Sequence, residues 1–186
     1  MPSKPSAVVA RHDPARWTKT LRYRAKSALP FDAGAVSPAV PIVLDATVYI
    51  DGRRLPPPIA AIVARNTVLH SATSLAELAV SIGYLDPADS RTPTHRQPID
   101  DVMAHVVPTR IVAPSSDAWV EAAVLAGILA RTQGIPKPER RKLLNDALIF
   151  LTAAEAGATL ISRNVKDMDL LLQLKPDVPV LLYDRA

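Results

Sequence analysis

Cysteine is absent from this 186-residue chain, which excludes disulfides, thiol catalysis and cysteine-ligated zinc. A chain without Cys suits a reducing compartment, and a cytoplasmic protein is expected. Aromatic residues make up only 4% of the sequence, so any core must be aliphatic, built from Leu, Val, Ile and Ala. Hydrophobic residues reach 48%, a supply too rich for a chain disordered throughout. The four histidines, His12, His70, His95 and His105, show no H-E-x-x-H spacing, so a histidine zinc site has no support. No apolar run approaches the roughly 18–20 residues needed to cross a bilayer. The N-terminus also lacks the apolar segment of a secretory signal, and no membrane partner is expected.

Charge is present but unevenly spread. The net charge is +4 and the pI about 9.6, which is compatible with a polyanionic partner. Residues 1–40 carry seven basic residues against two acidic ones, a net of +5, while the rest of the chain nets −1. Pro2, Pro5, Pro14, Pro30 and Pro38 punctuate this segment, and no sustained apolar period runs through it. It reads as a basic extension, residues 1–40, ahead of a domain spanning residues 41–186. A short helix over about Ala15–Lys26 is expected within it. An organelle transit peptide ranks lower, because Asp13 and Pro14 interrupt any long amphipathic helix. Its charge suggests a role in holding a polyanion or in shielding acidic groups of the body.

From Pro41 onward the pattern alternates. Ile42-Val43-Leu44 is a short, β-branched apolar run of the kind buried on both faces of a sheet. Further strands are predicted at Thr67–His70, Arg110–Val112, Thr159–Ile161 and Val178–Leu182. Helices are predicted at Pro57–Ala64, from a Thr73 or Ser74 cap to Ile82, at Ile99–Val106, Asp117–Arg131, Glu139–Ala156 and Lys166–Leu174. Gly134-Ile135-Pro136 and Gly157 break the longer ones. Strands alternating with helices predict an α/β fold with a central parallel sheet of five strands, flanked by helices on both faces.

Four acids sit where a purely structural chain would favour other residues. Asp45 closes the first strand amid apolar neighbours, although a strand-end Asp often caps a turn. Glu77 lies in Ser74-Leu75-Ala76-Glu77-Leu78-Ala79-Val80, apolar nearly all round, unless it shares a narrow solvated stripe with Ser81. Asp146 falls on the stripe Leu143, Asp146, Ala147, Phe150 and Ala154, which should face the core; an ion pair with Lys142 or a distant Arg would explain it structurally. Asp167 follows the fourth strand, where turn and cap residues are ordinary. A parallel sheet gathers strand carboxyl ends at one edge, and carboxylates meeting there repel one another or recruit a cation. Hard oxygen donors favour Mg²⁺ or Mn²⁺.

In order and spacing, Leu44-Asp45-x-Thr47, Ser74-x-x-Glu77-Leu78, Asn145-Asp146-Ala147-Leu148-Ile149 and Ser162-Arg163-Asn164-x-x-Asp167-Met168 resemble the PIN domain, and more closely the VapC-type toxins of type II toxin–antitoxin pairs. The resemblance covers about Pro41 to Tyr183. It implies a PIN-like three-layer fold and a Mg²⁺ or Mn²⁺ ion held by Asp45 and Asp146, with Glu77 and Asp167 completing the acidic site. Thr47, Ser162 and Asn164 fall on positions that orient ligands or water. It further implies a homodimer, and an antitoxin partner whose tail blocks the site. Met168 stands where the family often has an aromatic residue. Asn164 stands where it often has Asp, so Asp167 must supply the fourth carboxylate.

With the resemblance, these residues imply metal-assisted hydrolysis of RNA phosphodiesters, in which the ion lowers the pKa of water and neutralises phosphate charge. Arg140, Arg141 and Lys142 precede Asp146 and either steer the RNA backbone or form a solvated helix start. A PIN-like module that grips RNA or protein without cutting is the main alternative. A phosphatase-like or receiver-type α/β domain ranks lower, since Glu77 has no task there and Thr47 occupies the place of a second Asp.

Overall fold

The computed structural model describes residues 3–185. The five strands β1 (Ile42–Leu44), β2 (Val68–Ser71), β3 (Ile111–Val112), β4 (Thr159–Ser162) and β5 (Val180–Leu182) form one all-parallel sheet in the order β3-β2-β1-β4-β5. Starting from β1 the chain builds outward through β2 to β3. It then returns to the other side of β1 for β4 and β5. Strand order therefore reverses between β1 and β4, and a crevice opens outside their carboxyl ends at such a switch point.

Eight helices connect and flank the strands among the described residues: α1 (Pro5–Ala10), α2 (Ala46–Asp51), α3 (Pro57–Arg65), α4 (Ala72–Gly83), α5 (Thr92–His105), α6 (Ser116–Thr132), α7 (Arg140–Glu155) and α8 (Val165–Leu174). Alternation along the strands divides the core into two layers. Val43, Leu160, Val180 and Leu182 pack against α6, α7 and α8. Ile42, Leu44, Ile161 and Leu181 point the other way, toward Val48 of α2 and Ile59 and Ile62 of α3. Each fully buried Leu or Ile contributes about 1.5–3 kcal/mol, so these aliphatic layers supply the driving force that scarce aromatics cannot. The largest aromatic contribution comes from Phe150, fully buried on α7.

The five predicted strands are all present, displaced by a residue or two at their ends. Gly157, at φ +60°, ends α7 in the left-handed region, where a side chain would be strained. Three local readings differ. The Ala15–Lys26 helix is absent; that stretch is mostly extended, with brief 3-10 turns at Pro14–Arg16 and Lys26–Ala28. The helix predicted to begin at Ile99 starts at Thr92 instead. Pro93 favours its first turn, and its exposed face tolerates the bond lost at Pro98. The turn after Asp45 continues directly into α2, which the apolar run through Val48 concealed.

The basic segment lies against the body. Val8 of α1 is fully buried, and α1 packs on α6. The Ser3 amide donates to Asp117, and His12 meets the buried Glu121 at 2.7 Å. Farther along, the Arg24 side chain binds buried Asp169 at 2.6 Å and the Leu182 amide donates to the Pro30 carbonyl. Part of its charge is thus engaged: Arg11 with Glu121 of α6, Arg24 with Asp169 of α8 and Lys26 with Asp184 beyond β5. Among the described residues no hydrogen bond or ion pair joins it to Asp45, Glu77, Asp146 or Asp167.

Candidate active site

The register of the sheet builds the site. Leu44 pairs with Ile161, so the next residues out, Asp45 and Ser162, stand side by side at the switch point. Asp45 is the residue before α2, yet its side chain caps nothing. Its Oδ2 instead accepts hydrogen bonds from the Ser162 hydroxyl at 2.5 Å and the Thr47 hydroxyl at 2.8 Å. Those two donors are themselves fixed. Ser162 Oγ accepts from the Asn164 amide, and Thr47 Oγ1 accepts from the Arg163 amide. The Asp45 carboxylate is thereby aimed by both loops of the crevice, with Oδ1 left free of hydrogen bonds among the described residues.

Asp146 approaches from α7, a helix buried on most sides by Leu143, Ala147, Leu148, Ile149, Phe150 and Leu151. Thr152, the other buried polar side chain on that helix, satisfies itself by donating to the Leu148 carbonyl. Asp146 has no such escape. It is 4% exposed, and Oδ2 is buried without any hydrogen-bond partner. Its Oδ1 accepts from Asn164 Nδ2 at 3.1 Å. The ion pair with Lys142 that would explain Asp146 structurally is absent, because Lys142 Nζ binds Asp167 Oδ2 at 2.9 Å.

Asp167 enters from the first turn of α8, half-buried, and Asn164 Nδ2 also donates to it at 2.8 Å. One amide group therefore bridges Asp146 and Asp167. Glu77, half-buried on α4, accepts from Asn145 Nδ2 at 2.9 Å, which ties α4 to α7. Asn145 precedes Asp146 in the sequence motif, and its side chain now has a visible task. The solvated stripe shared with Ser81 does not explain Glu77, whose carboxylate faces α7.

The electrostatics bind the four acids together. Burial, then the charges of Asp167 and Asp45, push the Asp146 carboxyl well above the usual carboxylate range. Burial also raises Glu77, against the Asn145 hydrogen bond and with help from Asp45. For Asp167 burial works in the same direction, but hydrogen bonds from Lys142 and Asn164 overcome it and hold the group low. Neighbouring carboxyls whose affinities for a proton are driven apart are a mark of functional sites. The Lys142 ammonium feels Asp167, Asp146 and Asp45 strongly enough to stay charged despite partial burial.

The donor chemistry fits a hard divalent cation: hard oxygens only, mutual repulsion, and a buried carboxylate oxygen with nothing to bond. The spacing is looser. Among the described residues no three His, Cys, Asp or Glu side chains stand together as a formed metal site. Lys142, Asn145 and Asn164 occupy the intervals between the carboxylates.

A second buried cluster went unnoticed in the sequence. Asp51, at the end of α2 and 2% exposed, accepts from Arg163 at 2.8 Å, Tyr183 at 2.9 Å and Arg185 at 2.7 Å. Burial alone would raise its pKa, but the Arg185 and Tyr183 hydrogen bonds and the two arginine charges lower it. Arg163 thus clamps the loop after β4 to α2, the loop that carries Ser162 and Asn164. A partial signal was available: Asp51 is an acid directly after apolar Val48-Tyr49-Ile50, although Arg53 and Arg54 follow it closely. On the β2 side the Tyr49 hydroxyl and His70 Nδ1 share a 2.8 Å hydrogen bond beside the crevice. Tyr49 is pushed upward by burial and the Asp45 charge.

An all-parallel five-stranded sheet in this order, covered by helices on both faces and carrying carboxylates at its switch point, is the PIN-like α/β fold. No family model matches the chain, and no curated protein matches its sequence. Solved structures do. The chain is similar to a chain of VapBC2 from Rickettsia felis bound to a DNA fragment from their promoter, at TM-score 0.52 and 17% identity over 77% of this chain and 99% of that one. It is similar also to a chain of VapBC-1 from nontypeable Haemophilus influenzae, at TM-score 0.51 and 19% identity over 77% and 97%. The PIN-like fold implied by the four sequence motifs agrees with these neighbours. Among the described residues no helix is long and apolar enough to cross a membrane.

Proposed function

We propose that this chain is a metal-dependent endoribonuclease, the toxin of a toxin–antitoxin pair. The observation that carries the reading is Asp146 Oδ2, a buried carboxylate oxygen without a hydrogen-bond partner that is coupled by charge to Asp167, Asp45 and Glu77. A structural acid would have its own counterion; this one has a buried oxygen with no hydrogen-bond partner and feels the charges of the other acids.

Asp45 and Asp146 would hold Mg²⁺ or Mn²⁺, with Glu77 and Asp167 completing the acidic set. The ion would supply Lewis acidity toward the phosphate and a lowered pKa for water. Thr47 and Ser162 orient Asp45, while Asn164 fixes the spacing of Asp146 and Asp167. The buried setting of Asp146 keeps its interactions strong, because little water screens them. The substrate we infer is RNA, and the partners are an antitoxin protein and a second copy of the chain, in the cytoplasm. These inferences draw on the VapC resemblance and on the VapBC neighbours.

A PIN-like module that binds RNA or protein without cutting is the second reading. It draws on the looser spacing of the carboxylates and on Lys142, which already neutralises Asp167. Incubating total RNA with the protein in Mg²⁺, Mn²⁺ or chelator, beside Asp146→Asn, separates the two. The nuclease reading expects metal-dependent cleavage that the variant lacks. Equal cleavage by both proteins, or none by either in both metals, overturns it.

A further inference from the structure

Beside the acidic crevice lies an open groove of about 690 Å³, within the range that takes a ligand of several hundred daltons. Its lining includes features the carboxylates do not need. Small side chains of α4, Ala72 and Ala76, form one low wall, with Tyr84 just past the helix end. Trp119 rises from the first turns of α6, and Arg141 from the first turn of α7. Trp119 is 50% exposed and Tyr84 80%, in a chain with few aromatic residues. The Arg141 side chain is exposed and, among the described residues, makes no hydrogen bond or ion pair. Glu77 and Asn145 line the same groove and join at 2.9 Å, so its floor runs directly into the acidic edge.

Resting on the nuclease reading above, we propose that this groove is a subsite for single-stranded RNA, in which an unpaired nucleobase stacks on Trp119 while Arg141 binds the adjacent phosphate. Every base has a π-face, so an exposed indole grips single strands with little regard to sequence. Bases inside a duplex have no free face to offer. Tyr84 presents a second ring farther along the groove. The guanidinium decides between occupants. An unpaired Arg141 side chain in the groove that also holds Trp119 and Glu77 complements a polyanion, since planar guanidinium matches phosphate in charge and geometry. A peptide would need acidic side chains placed in register with Arg141, whereas a nucleic acid carries a phosphate at every step.

The test measures binding without metal, by fluorescence anisotropy in chelator. The probes are a short labelled RNA single strand, the same strand with abasic sites, and its duplex. Wild type should bind the intact strand more tightly than either of the others. Trp119→Ala should weaken the intact strand about tenfold, and Trp119→Phe, which keeps a ring, should recover most of that loss. Arg141→Ala should weaken intact and abasic strands alike and flatten the salt dependence. Thermal unfolding of each variant checks that the fold is kept. The proposal is overturned if wild type does not bind the strand, if Trp119→Ala binds it as wild type does, or if abasic strands bind as tightly as intact ones. Trp119-dependent binding without cleavage in Mg²⁺ or Mn²⁺ would sink the nuclease reading alone.

Discussion

Replacing Asp146 with Asn should make the metal-free protein more stable while destroying its response to metal. In the wild type the carboxyl is buried, one oxygen has no partner, and Asp167, Asp45 and Glu77 all disfavour its charge. A buried group left unsatisfied costs about 1–3 kcal/mol. The variant's amide keeps Oδ1 for Asn164, brings an N–H donor toward the neighbouring carboxylates and removes one of the repelling charges. At about 2–4 °C per kcal/mol for a chain of this size, the unfolding midpoint in chelator should rise by about 2–12 °C. Mn²⁺ should then raise the wild-type midpoint, by about 2.7 kcal/mol of stability at a hundredfold excess over its dissociation constant, and leave the variant's where it was. The pH dependence has a definite sign. The folded pKa of Asp146 lies above its ordinary value of 3.8, so its contribution is fully present below that value and is lost as pH rises through the raised one. The gap between variant and wild type should therefore be small near pH 4 and widen as pH increases. Circular dichroism melts from pH 4 to 8, in chelator and in Mn²⁺, measure every part of this. A variant that melts below wild type in chelator, or a gap that closes as pH rises, would refute the reasoning.

Other perturbations probe the groups around the carboxylates. Asp51→Ala should lower stability by about 2–3 kcal/mol in urea unfolding, less than for a fully buried pair because Arg163 and Arg185 are partly exposed. It should also reduce cleavage, since it frees the loop carrying Ser162 and Asn164. The low pKa of Asp51 makes its stabilisation present above pH 3.8 and lost as pH falls through the folded value, so the deficit should shrink in acid. Lys142→Met removes the cation that now pairs with Asp167. Calorimetric titration should find Mn²⁺ bound about twofold to fivefold more tightly, the worth of a largely exposed ion pair. Weaker binding in that variant would mean that Lys142 assists the metal instead of competing with it.

What could be read from the sequence, and what could not, follows from the range over which each signal acts. The strands were legible because a parallel sheet buries both faces, and unbroken runs such as Ile42-Val43-Leu44 have few other uses. Asp45 and Asp146 were legible as violations, charges where the local period called for apolar residues. The topology then supplied what no local pattern holds. Only the β1–β4 register sets Ser162 against Asp45, across 117 positions of sequence. Asn164 was read as a ligand position that had lost a charge, whereas in the fold its amide donates to two carboxylates at once and spaces them. Arg163 and Asp51 escaped because each looks ordinary alone; their meaning lies in a contact 112 positions apart. The basic segment escaped for a related reason. Its apolar residues follow no period, so its docking depends on single anchors such as Val8 and on Arg24 reaching a buried Asp169. Periodicity reports a face that repeats, while an irregular strap packs one residue at a time and leaves no repeat to detect. The acidic edge is legible for the opposite reason: a charge kept in a buried stripe works against folding, and its presence there calls for a task that outweighs the cost.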